Sequence, residues 1–136
     1  GLDFAATRME KDELYRACDI VSLHVPLTEE TRGLIGAPAL SLIRPGALLI
    51  NTSRGAVVEP SALVSALRSS RLGGAGLDVF DTEPLPPDHP LLLAPNTLFT
   101  PHVGARTANA QKKMNSVVGD VIRVLEGKSP HHDSSL

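Results

Sequence analysis

The sequence predicts an α/β protein built on a parallel sheet, and three observations support this class. Four short apolar segments recur along the chain, at residues 19–25, 47–51, 74–79 and 97–100. Segments with helical periodicity lie between them, which is the pattern of repeated strand–helix–strand units. Proline and glycine residues bound the apolar segments, as is typical of buried strands. Since the strands of such units run in the same direction, the sheet is predicted to be parallel.

The spacing of apolar residues predicts helices at residues 8–18, 37–43, 60–71 and 105–126. Pro60 suits the first position of the third helix, whereas Glu59 is a poor N-cap, so the start of that helix is defined only loosely. In the last helix an apolar stripe runs from Met114 to Leu125 and is expected to pack into a core. Gly127 is a plausible residue for ending that helix.

The segment 80–96 interrupts the alternation because it contains a cluster of prolines: Pro84, Pro86, Pro87, Pro90 and Pro95. Such a density of proline excludes a long helix and predicts a stiff, extended loop. Loops of this length in compact domains are usually functional or disordered.

Composition narrows the class of protein. The 136 residues suffice for one domain, and 42% are hydrophobic, so a packed core is expected. A net charge of −2 gives no reason to expect binding to nucleic acid or to a membrane surface, and the apolar runs are too short to span a bilayer. Cys18 is the one cysteine, which excludes an internal disulfide; we expect it to be a small apolar filler in a cytoplasmic protein. The start at Gly1, without a visible signal peptide, suggests a fragment.

Polar residues follow each of the four predicted strands. His24 lies at the end of the first, residues 51–55 (NTSRG) follow the second, Asp78 with nearby Glu83 follows the third, and His102 follows the fourth. In a parallel sheet the carboxyl ends of the strands share one edge, and ligands of open α/β sheets bind at that edge. These side chains are therefore predicted to form a site.

The residue types in this set suit one kind of chemistry. A histidine can exchange a proton near neutral pH, a carboxylate beside it favours the imidazolium, and an arginine can bind a carboxylate through two parallel hydrogen bonds. Together they suit the reduction of a 2-oxo acid to a 2-hydroxy acid. A cofactor would have to supply the hydride, because no side chain can do so.

Four stretches of the chain, in order, resemble the D-isomer-specific 2-hydroxyacid dehydrogenases. They are LYRACDIVSLHVPLTEETRGLIG, IRPGALLINTSRGAVVEPSALVSAL, GLDVFDTEPLP and PHVGARTANAQ, beginning at Leu14, Ile43, Gly76 and Pro101. The resemblance implies that Arg54 binds the substrate carboxylate and carbonyl, that His102 is the general acid/base, and that Glu83 pairs with it. A glutamate at position 83 also differs from the formate dehydrogenase branch, which typically has glutamine there.

The resemblance further implies a binding site for NAD or NADP. Asp78 would contact the nicotinamide carboxamide. The other residues expected at the cofactor lie along the same sheet edge: His24, Val25, Pro26, Thr52, Ser53, Arg54, His102 and Gly104. No residue is expected to bind a metal.

One part of the family pattern is missing. The family has a G-x-G-x-x-G motif between a strand and a helix, which binds the pyrophosphate. Gly74-Ala75-Gly76 has the first two glycines, but the sixth position is Val79 and the motif opens a strand. We therefore interpret residues 1–128 as the second half of a doubly wound, Rossmann-like NAD(P)-binding domain, and residues 129–136 as a tail or linker.

The resulting hypothesis is an oxidoreductase that, at full length, transfers a hydride between NAD(P)H and a small 2-oxo or 2-hydroxy acid. Glyoxylate, hydroxypyruvate and 3-phosphoglycerate are the candidate substrates, and a homodimer is expected from the resemblance. The isolated chain is expected to be inactive. Two alternatives remain at this point: a non-catalytic NAD-binding regulator resembling the family's corepressor relatives, and an inactive truncated product.

Overall fold

The structure, a computed structural model, describes residues 6–131 and contains a four-stranded parallel sheet. The strands are β1 (Ile20–Leu23), β2 (Leu48–Asn51), β3 (Gly74–Leu77) and β4 (Thr97–Phe99), in the spatial order β1-β2-β3-β4. Each predicted strand is present, and each is one to three residues shorter than predicted. The chain divides into two compact units, one ending at His102 and one beginning at Val103.

The predicted helices are all present and begin or end slightly inside their expected limits. They are α1 (Lys11–Ala17), α2 (Ala37–Leu42), α3 (Pro60–Arg68) and α4 (Ala108–Leu125). Helix α3 begins at Pro60 without a side-chain cap from Glu59, as the sequence suggested. It stops before residue 71 because Ser70 adopts a left-handed backbone conformation with φ of 56°.

Alternation along the strands gives the sheet one well-buried face. The side chains on this face belong to a cluster completed by the helices, with α2 packed between α1 and α3. The strand residues that contribute to it include Val21, Leu23, Leu49, Ala75 and Leu77. The helices and loops add fully buried residues such as Ile35, Ile43, Leu63, Leu67 and Leu72. Burying one such aliphatic side chain contributes roughly 1.5–3 kcal/mol to stability.

Strand residues that alternate to the opposite face are exposed. Ile20 is 58% exposed, Leu48 is 41% exposed and Leu98 is 71% exposed. Parallel sheets normally have both faces covered, so this face has the character of an interior surface. Cys18, at the end of α1, packs against the main core as predicted.

The proline-rich segment 80–96 contains no long helix, as predicted, but it is not extended throughout. Pro90–Leu93 form a short 3₁₀ helix. The His89 side chain caps this turn, since its Nδ1 accepts the Leu91 N–H at 3.3 Å. Leu91 and Ala94 are buried in the main core, which explains why the segment folds back at this point.

The second unit consists chiefly of α4 and the residues that follow it. The Thr107 side chain caps its first turn by accepting the Ala110 N–H at 3.1 Å. Gly127 ends the helix as predicted, with a positive φ of 74°. Residues 129–131 are held against α4, because Asp120 accepts the His131 N–H at 2.7 Å and the Ser129 carbonyl accepts from Arg123 at 2.8 Å. The rest of the predicted tail, residues 132–136, lies outside the described residues.

The apolar stripe of α4 does not behave as expected from its pattern. Val117, Val118 and Val121 are each more than half exposed, and Leu125 is 82% exposed. A unit with one long helix has no second apolar surface of its own against which this stripe could pack. The expectation of core packing is therefore not met within this unit. In the described part of the chain, no helix is both long enough and apolar enough to cross a bilayer.

Candidate active site at the carboxyl edge of the sheet

The polar residues singled out in the sequence follow the carboxyl ends of the parallel strands. His24 comes after β1, Thr52–Gly55 after β2, Asp78 after β3 and His102 shortly after β4. Backbone hydrogen bonds continue across this edge beyond the strands. Asp78 N–H donates to the Asn51 carbonyl at 2.9 Å, and His102 N–H donates to the Asp78 carbonyl at 2.9 Å. The turns after β2, β3 and β4 are thus joined by their main chains.

His102 and Glu83 form a hydrogen-bonded pair on this edge. His102 Nδ1 lies 2.8 Å from Glu83 Oε2. The other carboxylate oxygen, Oε1, accepts the Phe80 N–H at 2.9 Å. The bond to His102 and the Phe80 N–H together hold the pKa of Glu83 below its ordinary value of 4.5, against the opposing effects of desolvation and of the Asp78 charge. Glu83 is therefore a carboxylate at neutral pH, and it fixes the orientation of the imidazole.

The backbone of His102 is in the left-handed region, with φ of 51°. A non-glycine residue held in such a conformation costs on the order of 1–3 kcal/mol, and such residues cluster at functional sites. The His102 N–H accordingly has two acceptors, the carbonyls of Asp78 and of Thr100. The side chain remains 48% exposed, so the ring is accessible to a ligand.

The turn after β2 is organised around Asn51, whose residue is 1% exposed. Asn51 Oδ1 accepts the Ser53 N–H at 3.0 Å and the Ser53 hydroxyl at 2.8 Å. Asn51 Nδ2 donates to the Arg54 carbonyl at 2.9 Å. The Arg54 guanidinium donates to the Ser53 carbonyl at 2.7 Å through Nη1. All four bonds lie within four consecutive residues, so the turn is defined locally.

The turn that carries Arg54 and the turn that carries Glu83 are in direct contact at Gly55. A Cβ atom at Gly55 would overlap the backbone of Phe80 and Asp81. The same Phe80 donates its N–H to Glu83. Only glycine permits this close approach of two main chains. Gly55 therefore sets the distance between the Arg54 turn and the Phe80–Asp81 backbone, which holds Glu83 of the His102–Glu83 pair.

Asp78 is 6% exposed and receives a hydrogen bond from the Thr100 hydroxyl. A buried carboxylate requires such partners. Thr100 and Phe80 were not singled out from the sequence as parts of the site, and Asn51 and Gly55 were named only within the segment 51–55, without roles of their own. Asn51 had a recognisable signal, because an asparagine side chain after a strand typically hydrogen-bonds the backbone two residues on and closes a turn. The other three depend on contacts between distant segments.

A cavity of about 510 Å³ lies beside the ends of β1 and β2. It is lined by His24, Val25, Pro26, Leu27, Thr52, Ser53 and Arg54. All but Leu27 were expected at the cofactor. Ser22 Oγ and His24 Nε2 are hydrogen-bonded at 2.8 Å, which orients the His24 ring. Of the remaining expected residues, Asp78 and His102 lie at the neighbouring strand ends, and Gly104 lies in the second unit.

The size and lining of this cavity suit part of a nicotinamide nucleotide. Its volume is within the range of ligand pockets, and it combines apolar walls with hydroxyls and a guanidinium. No G-x-G-x-x-G motif occurs in the 136 residues. The residues present thus fit one part of a dinucleotide and provide no glycine-rich loop for its pyrophosphate.

Comparison with known proteins agrees with this geometry. Residues 2–104 match the D-isomer specific 2-hydroxyacid dehydrogenase family, NAD binding domain, and the chain belongs to this family. A glyoxylate reductase of Thermofilum pendens is 46% identical over 120 residues, which cover 88% of this chain and 35% of that protein. A glyoxylate/hydroxypyruvate reductase B of Citrobacter koseri is 44% identical over 126 residues, covering 92% and 39%. The chain thus spans little more than a third of the length of these relatives.

Solved structures show the same fold. A crystal structure of a Thermus thermophilus protein has a TM-score of 0.87 and 44% identity, covering 97% of this chain and 42% of the other. A D-isomer specific 2-hydroxyacid dehydrogenase of Xanthobacter autotrophicus, in complex with NADPH and MES, has a TM-score of 0.78 and 38% identity, covering 89% and 50%. A D-lactate dehydrogenase with NAD+ from Lactobacillus jensenii has a TM-score of 0.82 and 29% identity, covering 94% and 43%. The predicted Rossmann-type fold and family resemblance are confirmed.

Proposed function

We propose that this chain is the catalytic part of an NAD(P)-dependent D-2-hydroxyacid dehydrogenase, supplying proton transfer and substrate anchoring. The observation that carries the proposal is the His102–Glu83 pair, at 2.8 Å, on the same sheet edge as the Arg54 turn. Residues 1–128 are assigned to the second half of the NAD(P)-binding domain and residues 129–136 to a tail. The family match over residues 2–104 supports this assignment.

Each charged side chain has a distinct role in this proposal. Arg54 binds the carboxylate of a 2-oxo acid and orients its carbonyl. His102, protonated and held by Glu83, donates its proton to the carbonyl oxygen as the alcohol forms. NADH or NADPH, when bound, would supply the hydride for C2 of the substrate. In the reverse direction the neutral imidazole of His102 accepts the hydroxyl proton, and Glu83 stabilises the imidazolium that results.

The cofactor site in this proposal is the cavity beside β1 and β2, extended along the sheet edge. His24, Val25 and Pro26 would line the adenosine side, and Thr52 and Ser53 would border the nicotinamide half. The role of Gly104 stays a prediction from the family resemblance. Asp78 would contact the nicotinamide carboxamide. The relatives solved with NAD+ and NADPH support either nucleotide as the ligand.

The substrate is a small 2-oxo or 2-hydroxy acid, and we propose glyoxylate or hydroxypyruvate, with the 2-hydroxy acid 3-phosphoglycerate as the third candidate. The names of the relatives, which include a D-3-phosphoglycerate dehydrogenase of Methanocaldococcus jannaschii, support this choice. Dimerisation and a cytoplasmic location stay predictions from the sequence.

Replacement of the two ionic residues tests the proposal. In the protein at its natural length, His102→Ala and Arg54→Ala should each lower kcat/KM for glyoxylate or hydroxypyruvate by about 10²–10⁴-fold, as expected for a lost acid/base or anchoring group. Arg68→Ala, which removes an exposed arginine at the end of α3, is the matched control and should change little. Nucleotide oxidation in the presence of each acid is the measurement.

Two results would contradict the proposal. One is near-normal turnover in either the His102 or the Arg54 variant. The other is a natural-length protein that binds NADH or NADPH yet neither reduces glyoxylate or hydroxypyruvate nor oxidises 3-phosphoglycerate. That result would instead indicate a nucleotide-binding regulator.

A further inference from the structure

We propose that Asn51 is the positioning residue for Arg54: its buried amide, and not the arginine's own surroundings, sets where the guanidinium is presented to a substrate. The inference rests on the proposed function of Arg54 and concerns how the chain achieves it. The inference rests on one observation: the side-chain amide of Asn51 is hydrogen-bonded to both Ser53 and Arg54.

The first argument is the contrast in burial between the two side chains. Asn51 is 1% exposed and has no access to a ligand, whereas Arg54 is exposed and lines the 510 Å³ cavity. An exposed arginine has many rotamers, and ordering such a side chain costs up to about 2 kcal/mol. Its position must therefore be restricted by the backbone that carries it, and Asn51 holds that backbone.

The second argument is that both ends of the amide are used. The oxygen accepts from the Ser53 N–H and hydroxyl, at 3.0 and 2.8 Å, and the nitrogen donates to the Arg54 carbonyl at 2.9 Å. A residue that merely filled the core would not require a donor and an acceptor at opposite ends of one planar group. Loss of either bond would leave a polar group without its partner, costing about 1–3 kcal/mol where that group is buried.

The third argument is how the Arg54 side chain itself is attached. Its Nη1 donates to the Ser53 carbonyl at 2.7 Å. The Ser53 peptide is thus fixed by Asn51 through its N–H and in turn orients the guanidinium through its C=O. A shift of the Ser53 peptide would move the guanidinium with it, and a misplacement of about 1 Å at a reacting group can cost about 10²-fold in rate.

The main chain of Asn51 extends the same role to the neighbouring turn. Its carbonyl accepts the Asp78 N–H at 2.9 Å, and the Asp78 carbonyl accepts the His102 N–H at 2.9 Å. Asn51 therefore connects the arginine turn to the backbone of the proposed acid/base through one intervening residue. Because these two bonds involve only the main chain, substitution of the Asn51 side chain leaves them available and affects the Arg54 turn selectively.

A double-mutant comparison in the protein at its natural length tests this inference. Asn51→Ala should lower kcat/KM for hydroxypyruvate by about 10–10²-fold. In an Arg54→Ala background the same substitution should lower kcat/KM by less than about threefold, because the guanidinium it positions is already gone. Asn115→Ala, at an exposed position in α4, is the control.

Asn51→Asp separates positioning from loss of fold. Aspartate keeps the size and the acceptor for Ser53 but replaces the donor to the Arg54 carbonyl by an anionic oxygen. The repulsion between this oxygen and the Arg54 carbonyl should loosen the turn and lower activity. Amide hydrogen exchange should rise in a peptide spanning residues 52–57 but not in one spanning α2, which checks that the rest of the fold is retained.

The outcomes separate the positioning role of Asn51 from the proposed anchoring role of Arg54. Equal losses from Asn51→Ala in the wild-type and Arg54→Ala backgrounds, or unchanged exchange at residues 52–57 in Asn51→Asp, would overturn the positioning role while leaving Arg54 as the anchor. Full activity of Arg54→Ala alone would overturn the proposed function instead.

Discussion

Arg54 and His102 lie on the same edge of the sheet, but different kinds of structure hold them. The Arg54 turn is closed by hydrogen bonds among four consecutive residues, centred on the buried Asn51. His102 is held by a carboxylate 19 residues earlier in the chain and by carbonyls of Asp78 and Thr100. The first arrangement is set by a local motif, whereas the second exists only when β3 and β4 pair. Local hydrogen bonds therefore hold one part of the site, and tertiary contacts hold the other.

The two arrangements meet at Gly55, and this contact offers the largest test of the comparison. Gly55→Ala would force apart the Arg54 turn and the Phe80–Asp81 backbone. We expect a loss of about 1–3 kcal/mol in the free energy of unfolding, as for other overpacked sites. We also expect kcat/KM to fall by about 10²-fold, because both charged groups are displaced. Urea unfolding and steady-state kinetics are the measurements.

Gly119→Ala provides the matched control for that experiment. A Cβ at Gly119, within α4, would meet no atom within 4 Å. Alanine there should raise helix stability by about 0.5–1 kcal/mol and leave the kinetics unchanged. If Gly55→Ala were as harmless as Gly119→Ala, the two turns would not depend on each other.

Glu83→Gln is a smaller change that affects only the His102 arrangement, which depends on tertiary contacts. The amide retains the size of the side chain but loses the charge that stabilises the imidazolium. We expect reduction of the 2-oxo acid to fall by about 10-fold near neutral pH and to decline at lower pH than in the wild type. The pH dependence of kcat/KM measures this, with Asp81→Asn removing a nearby exposed carboxylate as the control. Identical pH dependence in Glu83→Gln and wild type would exclude the proposed role of Glu83.

The smallest expected effect concerns stability. Because the pKa of Glu83 is lowered in the folded protein, its ionised form contributes stability above the ordinary pKa of 4.5. That contribution is lost as the pH falls through the lower pKa of the folded state. The difference in Tm between wild type and Glu83→Gln should therefore shrink below pH 4.5. The difference should be small at all pH values, since the His102 and Glu83 side chains are 48% and 36% exposed and water screens the pair. A difference that grows on acidification would contradict the pairing.

The sequence predicted the sheet well because each strand is defined by its own composition. Short apolar segments bounded by proline or glycine became β1 to β4 within a few residues of their predicted limits. Helix ends were less accurate, because they depend on backbone details such as the left-handed Ser70. The stripe of α4 shows the limit of periodicity: it identifies the apolar face of a helix but not the surface that would cover it.

The candidate site also has parts that local sequence predicts, as for Arg54, and parts that depend on tertiary contacts, as for His102. The sequence by itself determined which residue types follow each strand and, through the parallel sheet, that they share an edge. It also contained the Asn51 turn, because that turn involves neighbours in the chain. Residue types alone left open which carboxylate pairs with His102, and the family resemblance favoured Glu83.

Only the tertiary structure decided that pairing. Asp78 is buried against Thr100, whereas the Phe80 N–H directs Glu83 towards the His102 ring. The Phe80–Glu83 contact is local, but the Thr100–Asp78 and His102–Glu83 contacts join residues 22 and 19 positions apart. These two come together only when the strands pair, so no local pattern specifies them.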